Sequence, residues 1–217
     1  MLERLGVTDA DAWQIIETAK VPNTGNDPTH FIPAYDLMYY GKEAIEWLVL
    51  ETQDDKILII SKYGLDWQRY DKNTVENGIT WESCTLRKWL NGRFINAAFN
   101  EREKQLISTV TVPADRNPEY DTNPGNPMED KVFLLSINEA NRYFSSDELW
   151  QCRPTEYAVA NGVNQLDGGN CQWWLWSPGF EGNCAAIVSD DGGISSGHYV
   201  GSGTVAIRPI LWIDLNA

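Results

Sequence analysis

Histidine is almost missing from this chain, with only His30 and His198 among 217 residues. There is no HExxH word, which excludes a helical zinc-hydrolase site. Gly201 and Gly203 have no Lys-Ser/Thr after them and no helix behind them, so they build no phosphate loop. Asp and Glu are too numerous for one acid–base pair to stand out. Basic residues are also scarce. Against 31 Asp and Glu stand 17 Lys and Arg, a net charge of −14, which argues against nucleic acid or an anionic membrane as partner. Plain solubility accounts for the same acidity.

The four cysteines (Cys84, Cys152, Cys171, Cys184) show no CxxC spacing, so no zinc site and no cofactor is expected. They read as reduced, buried, hydrophobe-like thiols rather than nucleophiles. A Cys171–Cys184 bridge would be open only to an exported protein. No apolar run approaches the roughly 18 residues of a membrane span. The first residues, MLERLGVTDADAWQ, carry acids early and lack an apolar core, unlike a signal peptide. As written the chain reads as cytoplasmic, although a partner could carry it to a cell surface or virion.

Aromatic rings are abundant instead: ten Trp, nine Tyr and six Phe. Four of the Trp lie in the last quarter, CQWWLWSPGFEGNCAAIVSDDGGISSGHYVGSGTVAIRPILWID, between Cys171 and Asp214, three of them in one short run. Apolar words at both ends enclose a middle of Gly, Ser, Asp, Asn, His and Tyr. Rings of this bulk bury large areas, and small polar loops on a rigid support are a common home for recognition.

The remaining pattern alternates short helices and short strands without βαβ regularity. Residues 8–20 read as a short helix and 22–33 as loop. Ile45–Leu50 and Lys56–Ser61 read as a hairpin with a fully buried second strand. A helix opening at Ser83 carries Leu86, Trp89 and Leu90 on one face, and Asn91-Gly92 should stop it. Asn100 with Glu103, and Ser136 with Glu139, make capping boxes for two further helices. Thr109–Val112 and Lys131–Leu135 read as strands around the proline-rich loop Pro113–Asp130. Thr155–Ala160 is a short helix ended by Asn161-Gly162. The C-terminal strands are Gln172–Trp176, Ala185–Ser189, Ile194–Val200 and Val205–Ile213. Asp191-Gly192 turns the middle pair, and Pro209 must sit at an edge or bulge. The whole reads as one α+β domain.

Taken together, IEWLVL, KILIISKYGLDWQRY, TWESCTLRKWLNGRFINAAFNEREKQLI, DKVFLLSINEANRYF and WWLWSPG with AAIVSDDG and VAIRPILWI resemble a bacterial family of uncharacterised domains of C-type-lectin-like fold. That fold is shared with the formylglycine-generating enzymes and with the variable proteins of diversity-generating retroelements. The resemblance spans Ile45 to Ile213 and implies short twisted antiparallel sheets, a few short helices and much irregular loop over residues 35–217. Residues 1–34 would be a helical lead-in. The family usually carries Arg where Trp176 stands here, so the role of that Arg does not transfer. The cysteine motif on which formylglycine-generating oxidases depend is not found, and neither is the Trp-Asn-Asp strand of calcium-dependent lectins. Asp190 and Asp191, on opposite faces of a strand, make a poor chelating pair, so no metal site is expected.

For retroelement variable proteins, the resemblance implies diversified surface residues near the C-terminus. All of Gly193–Thr204 belongs to the set such diversification reaches, although hairpin loops are rich in Gly and Ser in any case. The expectation is therefore a non-enzymatic binding or display protein with an unknown protein or surface ligand. Its contact face would hold Phe180, Asn183, Ser189, Asp190, Ser195, Ser196, His198, Tyr199, Ser202 and Thr204. Trp173, Trp174, Arg208 and Trp212 would form the scaffold, with Trp174 and Trp212 largely buried and Arg208 paired with a carboxylate. A catalytic relative of the formylglycine-generating enzymes, or a structural domain of a cell-surface or phage assembly, is the alternative.

Overall fold

The computed structural model describes residues 45–53, 55–73 and 78–216; the helix expected over 8–20, the loop over 22–33 and the whole 1–34 lead-in lie outside them. The strands in chain order are β1 (Trp47–Gln53), β2 (Lys56–Ser61), β3 (Asp66–Trp67), β4 (Val110–Val112), β5 (Met128–Asp130), β6 (Trp173–Pro178), β7 (Cys184–Val188), β8 (Ile194–Tyr199), β9 (Ala206–Ile207) and β10 (Ile210–Asp214). They form a three-stranded sheet β1-β2-β10, a five-stranded sheet β3-β9-β6-β7-β8 and the small ribbon β4-β5. With short helices between them this is an α+β architecture. Among the described residues no helix is long and apolar enough to cross a membrane.

The Ile45–Ser61 hairpin forms as its β-branched runs demand, with Val49 opposite Ile59 and a bulge before Glu51. The expected single strand Val205–Ile213 does not. It breaks at Arg208-Pro209 into β9, which pairs with β3 and β6, and β10, which pairs with β2. Proline has no N–H for a ladder, and here its carbonyl accepts from Ser61 N at 3.0 Å while the chain crosses between sheets. The strand expected at Lys131–Leu135 is buried but reduced to one bridge, Phe133 with Ile210. The last residues of the proline-rich loop pair instead, as β5 on β4.

Helix α1 (Thr85–Trp89) is capped by Cys84, whose thiol accepts from Arg87 N. It runs through a π turn, Leu90–Phe94, into α2 (Ile95–Ala98), so Asn91-Gly92 does not end it. The cause is long-range. Asn91 Nδ2 donates to the carbonyls of Arg87 and Val132, and its Oδ1 accepts from the amides of Lys131 and Val132. Those bonds feed an Asn into the turn of helix that local propensity would have terminated. Helix α3 (Glu101–Leu106) and helix α4 (Ile137–Tyr143) both carry the complete capping boxes read from Asn100/Glu103 and Ser136/Glu139. After α5 (Asp147–Trp150), helix α6 (Glu156–Asn161) starts at the Thr155 cap and stops at Gly162, whose φ of 117° suits glycine.

The centre of the core is β6, buried at every position. Trp173 donates its indole N–H to Trp150 O and lies 6.0 Å from Phe144. Trp174 faces Tyr70 at 5.4 Å and donates to Gln68 O, and Trp176 donates to Glu139. Tyr70 in turn donates its hydroxyl to Trp176 O. Trp212 was expected in the same core. It is only half-buried, on β10 opposite Leu58, with its ring at the margin of the smaller sheet. Replacing Trp174 with Ala should therefore cost about 3–5 kcal/mol, the range for truncating a buried aromatic ring. Trp212→Ala should cost no more than about 2 kcal/mol. Chemical denaturation of both variants checks the ranking, and equal losses would contradict it.

Candidate ligand-binding face

Strand β8 is the outer strand of the five-stranded sheet, and its neighbour β7 is wholly buried. Ala185 pairs with His198 and Ile187 with Ser195, so Ser196-Gly197 oppose Ala186 alone. This bulge re-aims the strand edge. The turn after β6 then crosses it. Phe180 N donates to Ser196 O at 2.8 Å, and Gly179 passes so close that a Cβ there would collide with that same oxygen and with Cys184. Asn117, buried although it belongs to the proline-rich loop, donates through Nδ2 to Pro178 O at 2.8 Å and to Ser196 Oγ at 3.0 Å.

These ties set three aromatic rings at the surface. Phe180 lies against Gly197, where even an added Cβ would meet the ring at an ordinary 3.5 Å. Tyr120 meets Phe180 edge-on at 6.2 Å, and the Tyr199 ring rests on Gly201. Six large apolar side chains are exposed among the described residues: Tyr120, Val159, Phe180, Ile194, Tyr199 and Leu215. Four of them belong to β8 or the segments laid over it. Tyr199 and Phe180 are the most open, at 51% and 46%.

The expected contact residues do not make one uniform face. Phe180, Asn183, Tyr199 and Thr204 are exposed, whereas Ser189, Asp190, Ser195, Ser196, His198 and Ser202 are half-buried. The β7–β8 hairpin separates Asn183 and Tyr199 at one end from Ser189 and Asp190 at its turn by about 17 Å, from the rise per strand residue. Within Gly193–Thr204, Val200 is buried, bonded through its amide to Asn183 O and through its carbonyl to Asp71 N. His198 sits edge-on to Trp174 at 5.2 Å, and burial lowers its pKa below the ordinary imidazole value, so it is neutral at pH 7. Ser196 is engaged by Asn117. Ser202 and Thr204 face each other at 3.5 Å above Gly203, which packs on Trp67.

At the hairpin turn Gly192 has φ of 94°, and Asp191 Oδ1 accepts from Gly193 N. The carbonyls of Asp190 and Asp191 accept from Asn170 and Gln151. Asp191 thus serves its own turn. Among the described residues no three His, Cys, Asp or Glu side chains gather as a metal site.

Arg208 has no carboxylate partner among the described residues. It is 1% exposed, donates from Nε to Ser61 O and from Nη1 to Leu149 O, each at 2.8 Å, and lies 5.0 Å from the Trp173 ring and 5.4 Å from Phe144. The expected ion pair is therefore replaced by carbonyls and ring faces, which the strand break at Pro209 brings within reach. Sequence reasoning also missed Asn117 and Tyr120. Their only local signal was a proline-rich loop, and what places them is contact with a hairpin some 60–80 positions later.

The arrangement is an α+β domain whose larger sheet ends in an open, aromatic-flanked strand over a tryptophan platform. Residues 54–215 match the domain of unknown function DUF6273, and the chain belongs to that family. No curated protein and no solved structure matches it.

At the opposite edge of the same sheet, β3 carries the buried Asp66, whose carboxylate accepts from Trp67 N at 2.8 Å. Burial pushes its pKa up to about 6, against the lowering pull of that amide and of Arg93. A folded-state value above the unfolded one means that the native protein keeps a proton the unfolded chain has lost. Stability from this group is thus full below about pH 4 and falls as pH rises towards 6. Relative to Asp66→Asn, the wild type should lose up to about 3 kcal/mol between pH 4 and 7. Urea unfolding of both proteins at the two pH values measures this. A constant difference would show that Asp66 does not titrate in that window.

Proposed function

We propose that this chain is a non-enzymatic ligand-binding domain of C-type-lectin-like architecture, of the kind found in retroelement variable proteins, and that it binds through the surface of β8. The observation that carries this reading is the exposed ring pair Tyr120 and Phe180 together with the exposed Tyr199, carried on β8 and on the turn hydrogen-bonded across it. Tyrosine offers rigid amphipathic contact area at low entropic cost, and neighbouring Ser, Gly and Asn supply adaptable hydrogen bonds. Asn183 and Thr204 are exposed and Ser195 is half-buried. Ser196, His198 and Trp174 form the support below, and Ser189 and Asp190 belong to the distant turn.

The fold class and the acidic surface suit a protein or surface ligand, and the fold alone names no sugar. A catalytic relative of the formylglycine-generating enzymes needs a thiol in an open substrate pocket, whereas Cys84, Cys152, Cys171 and Cys184 all lie in the core rather than on the β8 surface. The retroelement reading is tested in the DNA. It requires a nearby reverse-transcriptase gene and an imperfect repeat of the Trp176–Arg208 coding stretch, and a locus with neither would remove it.

The face itself is tested by the double variant Phe180→Ala/Tyr199→Ala. Surface truncations away from caps typically move stability by about 0.5 kcal/mol or less, so its melting temperature should stay within about two degrees of the wild type. Partner capture from extracts of the source cells should be lost. Retained capture would place binding elsewhere, and loss of folding would make the rings structural.

A further inference from the structure

Two thiols lie side by side behind the β7–β8 turn, in segments that are far apart in sequence. Cys171 N donates to Cys152 O at 2.7 Å, which leaves the α-carbons about as far apart as bonded strand neighbours, roughly 5.5 Å. That separation is within the span a disulfide bridges. Both side chains border the same stretch. Cys152 Sγ is 3.8 Å from Lys62 O, and Cys171 Sγ is so near Gly64 that a Cβ there would stand 3.2 Å away. Gly64 is itself fixed by its amide on Arg153 O and by Thr155 N on its carbonyl. Gln151 and Asn170, the immediate neighbours of the two cysteines, hydrogen-bond each other and hold the Asp190–Asp191 turn. Cys184, the partner considered from the sequence, lies on β7 opposite Tyr199.

The buried guanidinium of Arg208 frames the same place. It binds Leu149 O, three residues before Cys152, and stacks on Trp173, two residues after Cys171. With no carboxylate bonded to it among the described residues, the thiols are its available anions. Burial alone would raise the Cys152 thiol, but its hydrogen bond with Cys171, the Arg208 charge and the Gly64 amide together bring it below its ordinary value. The bond to Cys152 and burial push the Cys171 thiol up. Of the pair, Cys152 is the one whose proton is the more readily lost, and that proton is otherwise directed at Arg153 O at 3.5 Å and Lys62 O at 3.8 Å; this orders it as the attacking and Cys171 as the resolving cysteine. Cys84, by contrast, is pushed to about 12 by burial.

We propose that Cys152 and Cys171 are a redox-active dithiol that closes to an intrachain disulfide under a peroxide. The Cys152 thiolate attacks one oxygen of hydrogen peroxide, the O–O bond breaks, and hydroxide leaves and takes up a proton as water. The sulfur is thereby oxidised to sulfenic acid. Cys171 then attacks that sulfur, the S–O bond breaks, and its thiol proton leaves with the hydroxyl as a second water. The peroxide takes the two electrons. Both thiols are buried, so the reaction requires local opening of the segment Gln151–Arg153, whose outer residues are exposed. This dithiol is independent of the binding face on β8.

The test treats the full chain with hydrogen peroxide, alkylates it after unfolding, and maps the peptides. Two of the four thiols should be lost, with one peptide pair joined through Cys152 and Cys171 and restored by a phosphine reductant. Cys84 and Cys184 should remain alkylated. Four free thiols after treatment, a link that includes Cys84 or Cys184, or a link between chains would overturn the proposal. In Cys171→Ser, dimedone should label Cys152 at least tenfold more than in the wild type, and labelling elsewhere or nowhere would contradict the assigned order. Should that variant not fold, the wild-type map decides alone.

Discussion

A buried cation joins the two main sheets. Arg208 stands where the chain leaves β9 and enters β10. From there it reaches the end of β2 through Ser61 O, the end of α5 through Leu149 O, and the rings of Trp173 on β6 and Phe144 after α4. Stripping a guanidinium of water costs several kcal/mol even after relaxation. Hydrogen bonds to a charged group return about 1.5–3 kcal/mol each, and a desolvated ring contact about 2. These four contacts are therefore of the size needed to hold the charge, and only one relative placement of the sheets supplies them all. Burial still lowers its proton affinity, against the raising influence of Cys152 and Cys171 beside it.

From that junction the organisation runs outward. Trp173, Trp174 and Trp176 fill both sides of β6 and spend each indole N–H on a fixed partner. Strand β7 is small and apolar because it is sandwiched, and β8 is left at the edge. A bare edge strand invites unwanted pairing. Here the bulge at Ser196-Gly197, the Phe180 amide and the Asn117 side chain cover part of it. The surface that remains is side chain, chiefly Phe180, Tyr199 and Tyr120.

What could be read in the sequence was local chemistry. The capping boxes at Asn100 and Ser136, the Asp191-Gly192 turn, the Gly162 stop and the β1–β2 hairpin all depend on neighbours within four or five residues. What escaped depends on partners far along the chain. Asn91 carries a helix past Gly92 because of Lys131 and Val132, and the Val205–Ile213 run divides because Pro209 faces Ser61. Arg208 is satisfied by carbonyls that no charge pattern reveals, and Cys171 meets Cys152 instead of Cys184. At the candidate face, Phe180 and Tyr199 were legible as aromatics in a polar stretch. Asn117 and Tyr120 were not, because a proline-rich loop gives no sign of what it will lie against.

The central claim is that a rigid β6–β7 platform supports a β8 face whose rings do not contribute to the platform itself. Native-state hydrogen exchange on the wild type and on Phe180→Ala/Tyr199→Ala measures this most directly. The account predicts that the amides of Trp174 and Trp176 exchange only through global unfolding and at the same rate in both proteins. Faster exchange of these amides in the double variant, or exchange through local opening in the wild type, would contradict it.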